Sequence, residues 1–567
     1  MPFRLKTVVS LSSLAALMTV SGCGAEPEEP TPSPSPTPES TPAPSETESE
    51  TTPATPEASA ELSQQGVAAA HPDAADAGVE ILESGGNAVD AAIATSFAIS
   101  VVEPYASGIG GGGSTVLAGP GMEPVGYDYR EMVAVDGSIP ASGTGVPGMV
   151  DGMATLHEQY GSMEWAELLQ PAIELADEGF EVTELLAQRI VSDYGPASTA
   201  GLNHFHTGPD RPLQQGDTLV QQELADTLRT LAQDGPEAMY TGSIAEQLTQ
   251  VDGLDAETLA NYETEDAQPV SGSFGDYEFV SAAPPLPGAA IVQQLQIAES
   301  LGAADAEPGS VEYIDHLSNA WQTANQSVSD HIGDPDFVDV PVDELTDAES
   351  NANIAEPAAA IEPEDDTGDR AEIEAGNTTH LTVVDSDGLT VSMTNTLTSF
   401  WGSSDSEYVG GFFLNDQLSR FEAIDTDSNQ PEAGRKSVSW SAPSLVLDDE
   451  GRVVMGIGTP GGHQIPNILN SVLVPWGLQD ASLQEAIDAP RHSLQDGVLA
   501  LEGEPSQEVA DLIGQRGWEA QVTTRADAVF GSVQALEIDY DDGSVTGAVD
   551  SRRDADMEII DAGTDEE

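Results

Sequence analysis

Cysteine is almost missing from this chain: Cys23 is the only one in 567 residues. No intramolecular disulfide can form, and no zinc site built on several thiolates is available. Lysine is nearly as scarce. Lys6 and Lys436 stand against 99 Asp and Glu residues, and the formal net charge is −83. Such a field repels nucleic acid and anionic lipid headgroups, so both are poor partners. Self-repulsion on this scale weakens a fold at low ionic strength and is relieved by salt, which points to a saline exterior.

Long apolar runs are lacking too, with one exception at the start. Arg4 and Lys6 precede Thr7–Val20, a run too short for a comfortable membrane span. It leads into Val20-Ser21-Gly22-Cys23, which resembles a bacterial lipobox. Residues 1–22 therefore read as a lipoprotein signal peptide, with Cys23 the lipidated residue. Lipid would be the only attachment of the mature chain to the outer face of the cell membrane. Residues 23–63 are rich in Pro, Ser, Thr and Glu; they cannot bury a core and read as a disordered tether.

Order is expected from about Gln64 to the C-terminus, with no second linker and no internal repeat. Pro72 opens a helix through Leu82, with Ala74, Gly78 and Leu82 on one face, and Gly85-Gly86-Asn87 stops it. Val89–Val102 follows, apolar nearly all round, which predicts a buried helix. A further helix pair starts at Pro147 and continues through Leu168–Ala176. Residues 350–376 are polar again and lead into two β-branched runs, Thr378–Val384 and Leu389–Thr396, around Asp385-Ser386-Asp387-Gly388. That is a hairpin. A turn centred on Ser386-Asp387 places Thr378 opposite Asn395 and diagonal to Thr396; a turn on Asp387-Gly388 moves this by one or two positions.

A threonine exposed as a new N-terminus carries its own base, because an α-amino group with a pKa of about 7.7–8.0 is partly neutral near pH 7.5. On pattern alone, however, Asn377-Thr378-Thr379-His380 is only a polar strand start. Ordered motifs change that reading: GGNAVDAAIA at Gly85, VVEPYASGIGGGG at Val101, YREM at Tyr129 and VPGMVDG at Val146. GDPDFVDVPVDELT at Gly333, NTTHLTVVD at Asn377, GTPGG at Gly458 and DAPRH at Asp488 follow. VQALEID at Val533 and AVDSRRD at Ala548 close the series. Across residues 64–560 the chain resembles the γ-glutamyltransferases of the N-terminal-nucleophile hydrolase superfamily.

The resemblance implies an α+β fold, a four-layer αββα sandwich, and self-cleavage between Asn377 and Thr378. A large subunit (64–377) and a small subunit (378–567) would stay associated. Thr378 would attack the γ-carbonyl of a glutamyl amide, such as a glutathione-like donor, and pass the acyl group to water or an amine acceptor. Thr396 matches the family's second threonine, Gly461 and Gly462 its oxyanion hole, and Arg130 the arginine that grips the donor's α-carboxylate. Thr398, Gln417 and Ser439-Trp440 fall at donor-pocket positions. Neither a cofactor nor a metal is expected.

The pattern departs from the family at Arg420, where an acidic residue is expected three places after Gln417. A cation there repels the ammonium of a glutamyl donor and suits a neutral or acidic acyl group such as glutaryl. Asp416 or Glu422 could supply the missing carboxylate. Thr398 stands where Asn is frequent, and the stretch between Phe421 and Arg435 is short for the family's lid loop. A related glutaryl or cephalosporin acylase is thus the alternative activity, and a non-catalytic surface lipoprotein the alternative class. Gly108–Gly113 satisfies G-x-G-x-x-G but follows no strand, which makes it weak as a dinucleotide site. His204 and His206 read as surface residues, and His380 as a packing residue.

Overall fold

In the computed structural model, the residues described are 62–192, 194–208, 211–355, 373, 376–403, 408–524, 527–563. The expected signal peptide, Cys23 and the expected tether as far as residue 61 lie outside them, as does most of the polar stretch before Asn377.

Thirteen strands build two large sheets. They are β1 (Gln64–Ala69), β2 (Gly112–Ala118), β3 (Val125–Asp128), β4 (Glu265–Asp266), β5 (Val270–Phe274), β6 (Tyr277–Ser281) and β7 (Thr379–Val384). Then come β8 (Thr390–Thr396), β9 (Ser444–Leu447), β10 (Val453–Gly458), β11 (Gln534–Asp539), β12 (Ser544–Val549) and β13 (Asp556–Asp561). One sheet has the order β13-β1-β7-β8-β2-β3-β4, the other β12-β11-β10-β9-β6-β5. Neighbouring strands are antiparallel throughout both.

Both faces of each sheet are covered. Val116 and Ala118 of β2 pack against Leu445, Leu447 and Val453 of the second sheet, and Ala68 and Val384 against Leu536 and Ile538. Outside the first sheet lie α1 (Pro72–Glu83) and α2 (Ala88–Val102); outside the second lie α3 (Gly288–Leu301), α4 (Val311–His331) and α5 (Ile465–Leu478). This is the expected four-layer αββα sandwich.

Local chemistry explains the first helices. His71 caps α1, its Nδ1 accepting from the Asp73 N–H at 3.2 Å, and Pro72 sits in the first turn. Asn87 and Asp90 form a capping box on α2, whose fifteen residues are all buried. A Cβ at Gly78 would lie 2.3 Å from Thr95 Oγ1, so the glycine lets α1 and α2 approach closely. The Asn377–Thr378 bond divides both sheets: β1–β4 share the first with β7, β8 and β13, while β5 and β6 share the second with β9–β12.

Candidate active site

The hairpin delivers Thr378. β7 and β8 pair with Thr379 opposite Asn395, so Thr378 falls opposite Thr396 rather than Asn395. The turn accounts for the one-residue difference. Asp385 N–H donates to the Leu389 carbonyl at 3.1 Å and Gly388 N–H to the Asp385 carbonyl at 3.0 Å, with Gly388 at φ 80°. This is a three-residue loop with glycine in the left-handed position, not a two-residue turn. The Thr378 and Thr396 hydroxyls are 3.2 Å apart, and Thr396 Oγ1 also accepts from the Thr398 N–H at 2.8 Å.

Thr378 has φ 97°. A β-branched residue in that region is strained, and the strain sits on the bond expected to break. The carbonyl of that bond has a partner: Asn377 O accepts from the Gly461 N–H at 3.1 Å. The Asn377 side chain is anchored as well, Nδ2 donating to Ala106 O at 3.0 Å and Ser399 O at 2.7 Å. Gly461 at φ 143° and Gly462 at φ 55° adopt backbone that side chains resist. A Cβ on Gly376 would meet Gly461 C at 2.2 Å, so only glycine lets this segment lie on the Gly461-Gly462 turn. Thr378 is 6 % exposed beneath it.

From Thr378 a polar chain runs to Arg130. The Thr398 hydroxyl donates to Gln417 Oε1, Gln417 Nε2 donates to Ser437 Oγ at 2.8 Å, and Arg130 Nη1 donates to Ser437 O at 2.8 Å. Arg130 is fully buried and clasps Asp128 through Nε at 3.0 Å and Nη2 at 2.6 Å. Burial would push the Asp128 carboxyl up, but Arg130 and Lys436 beside it hold it down at about 2. These bonds use three of the five guanidinium N–H groups. Next to Arg130, Glu131 is buried with both oxygens unpartnered, and burial pushes its carboxyl up to about 8, which keeps it neutral at pH 7.

The other wall is cationic and aromatic. Asp416 is committed to Ser399, accepting from its N–H at 2.9 Å and its hydroxyl at 2.7 Å. Arg420 forms no ion pair with it, and its Nε is buried without a partner. Burial lowers the Arg420 guanidinium, and nearby Asp416 only partly offsets this. His463, directly after the Gly461-Gly462 turn, is held neutral, lowered to about 4 by burial and by Arg420. Its ring packs edge-on against Trp440 and Trp321 with centroids 4.4 and 5.4 Å apart.

The family model for gamma-glutamyltranspeptidase matches residues 74–560. The chain belongs to the gamma-glutamyltranspeptidase family. It is 34 % identical to the capsule biosynthesis protein CapD proenzyme of Bacillus anthracis, over 86 % of this chain and 89 % of that one. It is 33 % identical to a glutathione hydrolase proenzyme of Escherichia coli, covering 86 % and 90 %, and 33 % identical to the acylase ACY 1 proenzyme of a Pseudomonas species, covering 87 % and 93 %. In fold it is similar to a cephalosporin acylase from Bacillus halodurans, with a TM-score of 0.77 over 90 % of this chain and 98 % of that one, at 24 % identity.

Within this gamma-glutamyltranspeptidase fold, Thr378, Thr396, Thr398, Gln417 and Arg130 join one network, and Gly461 meets the Asn377 carbonyl. Ser439 does not join it: its N–H faces Pro285 O at 3.4 Å, and Ser437, two residues earlier, takes the contact to Gln417. Glu422 is exposed, whereas Asp416 is buried. The Gly108–Gly113 run is a packing device. Added Cβ atoms at Gly110 and Gly111 would come within 2.1 and 2.2 Å of the Phe413 and Thr396 carbonyls. His380 is buried between Thr394 and Thr382. His204 contacts Tyr408 and His206 the Leu202 carbonyl; among the described residues no group of three or more His, Cys, Asp or Glu could hold a metal.

Proposed function

We propose that this chain is made as a precursor that cuts itself between Asn377 and Thr378 and then transfers or hydrolyses γ-glutamyl amides from Thr378. The contact of Asn377 O with the Gly461 N–H, beside the paired Thr378 and Thr396 hydroxyls, carries the reading. Thr378 Oγ1 attacks the Asn377 carbonyl carbon, and the Gly461 N–H holds the oxygen as charge develops. The C–N bond breaks and its nitrogen takes a proton, leaving an ester on Thr378 that water hydrolyses. The freed α-amino group then serves as base, and a donor's γ-carbonyl occupies the place of Asn377 O. The remaining Arg130 N–H groups face the donor's α-carboxylate. A glutathione hydrolase relative at 33 % identity supports this substrate class.

A second reading has its own support. Asp416 is spent on Ser399, and Arg420, with no ion pair among the described residues, is a cation where a glutamyl ammonium would dock. A glutaryl-type acyl group removes that repulsion, and the acylase relative is in keeping with it. The deciding experiment follows intact mass at high salt, then p-nitroaniline release from γ-glutamyl and glutaryl anilides. Two fragments meeting at Asn377/Thr378, with γ-glutamyl turnover, support the first reading, and glutaryl turnover alone supports the second. A folded, uncut chain sinks both. In the cell, Cys23 lipid holds the enzyme outside the membrane; among the described residues no helix is long and apolar enough to cross one. Cys23→Ser should release the protein into the medium, and retention at the wild-type level would exclude the anchor.

A further inference from the structure

The segment leading to the scissile bond is held by a side chain with no part in the chemistry above. Arg553 Nη2 donates to the Gly376 carbonyl at 2.6 Å and to the Ala528 carbonyl at 3.2 Å. Its Nε is buried with no partner. Glu103 lies within electrostatic reach of this guanidinium. The two Glu103 oxygens accept from the Tyr105 hydroxyl at 2.7 Å and from Thr379 Oγ1 at 2.8 Å. This pair, Glu103 buried and Arg553 part-buried, therefore grips the chain on both sides of the bond, at Gly376 and at Thr379. Between the grips sits Thr378 at φ 97°.

Burial lowers the Arg553 guanidinium to about 10, so it is still a cation at neutral pH. Arg553 is part-buried, and this cation spends its best bond on a peptide carbonyl rather than on a carboxylate. A purely architectural arginine needs only the Ala528 contact, which ties two loops of the C-terminal segment. The Gly376 contact reaches a segment that the cut would turn into a new C-terminus.

We propose that Arg553 and Glu103 are positioning residues for self-cleavage, pinning Gly376 and Thr379 so that Thr378 keeps its strained backbone and Asn377 O stays on the Gly461 N–H. The proposal rests on the self-cleavage reading. Neither residue touches the reacting atoms. The Arg553 grip matters only until the bond breaks, whereas the Glu103–Thr379 bond lies beside the new N-terminus and persists.

That difference can be measured on the full-length precursor. Intact mass is followed over time for Arg553→Gln, Arg553→Lys and Glu103→Gln, and turnover is expressed per cleaved chain. Arg553→Gln should slow cleavage at least tenfold and lower turnover per cleaved chain far less. Arg553→Lys, which keeps the charge and one donor direction, should fall between it and wild type. Glu103→Gln should slow both steps. Melting of Arg553→Gln in a Thr378→Ala background, where nothing can cut, reports whether the fold survives. Cleavage at the wild-type rate in a folded Arg553→Gln overturns the proposal, as does an equal fall in cleavage and turnover. If Arg553→Gln does not fold, Arg553→Lys decides, and wild-type cleavage there overturns the grip. A wild-type chain that stays uncut refutes the self-cleavage reading itself, a separate outcome.

Discussion

At the scale of single residues, the hydroxyl pair is the most exposed claim. Thr396 Oγ1 is 3.2 Å from Thr378 Oγ1 and is fixed by the Thr398 N–H. Thr396→Val keeps the shape and removes the hydrogen bond. A bond to a group that gains charge is worth ~1.5–3 kcal/mol, so kcat should fall about 10- to 100-fold with the fold intact. Steady-state kinetics on the cleaved enzyme check this, and an unchanged kcat would remove Thr396 from the mechanism. The approach of Thr378 to Thr396 was legible because β-branched runs flank a turn and the family motifs mark both residues. The Ser437 contact with Gln417 was not: RKSVSWS has no periodicity to set its register, and the family pattern points to Ser439 instead. Glu103 and Arg553 were illegible for a different reason. Their role lies in contacts with a segment hundreds of residues away in one case, and almost two hundred in the other, which no local pattern encodes.

At the scale of elements, capping chemistry made α1 and α2 readable. Their ends depend on neighbours in sequence, Pro72 and Asn87, and the observed helices run Pro72–Glu83 and Ala88–Val102. The hairpin was readable as a hairpin, but its register depends on whether Gly388 or Ser386-Asp387 makes the turn, and a turn's backbone state is not a matter of composition. The Gly376–Asn377 segment is the element whose fit matters most for maturation. Gly376→Ala puts a Cβ 2.2 Å from the Gly461 backbone, so the segment must lift and carry Asn377 O away from its donor. Cleavage should slow by about 100-fold or more, the size of effect expected when a developing oxyanion loses its donor. Turnover per cleaved chain should change little, since the donor then replaces the segment. A time course of intact mass reads the first quantity. Equal cleavage rates in the two chains would mean that the Gly461 contact does not set up the cut.

At the scale of the whole molecule, charge and buried histidines pull on stability in ways that salt and pH separate. With a formal charge of −83, repulsion dominates at low ionic strength, and the melting temperature should rise between low and molar salt. A flat response would argue against adaptation to a saline exterior. At molar salt the screened protein exposes the second effect. Burial lowers His71, His463 and His492 to about 4 and His380 to about 3, with Arg420 adding to the shift at His463. The unfolded chain takes up these protons near pH 6.5 while the folded chain refuses them, so stability is lost as pH falls from 6.5 toward 4. Burial raises Glu103 to about 7 and Glu131 to about 8, which works the other way. The fold keeps protons that the unfolded chain gives up near 4.5, so their contribution is full below that pH and is lost as pH rises through 7 to 8. Both signs place the greatest stability in mildly acidic solution at high salt, between the two losses. Thermal melts of the Thr378→Ala precursor from pH 4.5 to 8.5 in molar salt should show a maximum there. A melting temperature that climbed steadily to pH 8.5 would mean that Glu103 and Glu131 are ionised in the fold, and the neutral state assigned to Glu131 would have to go.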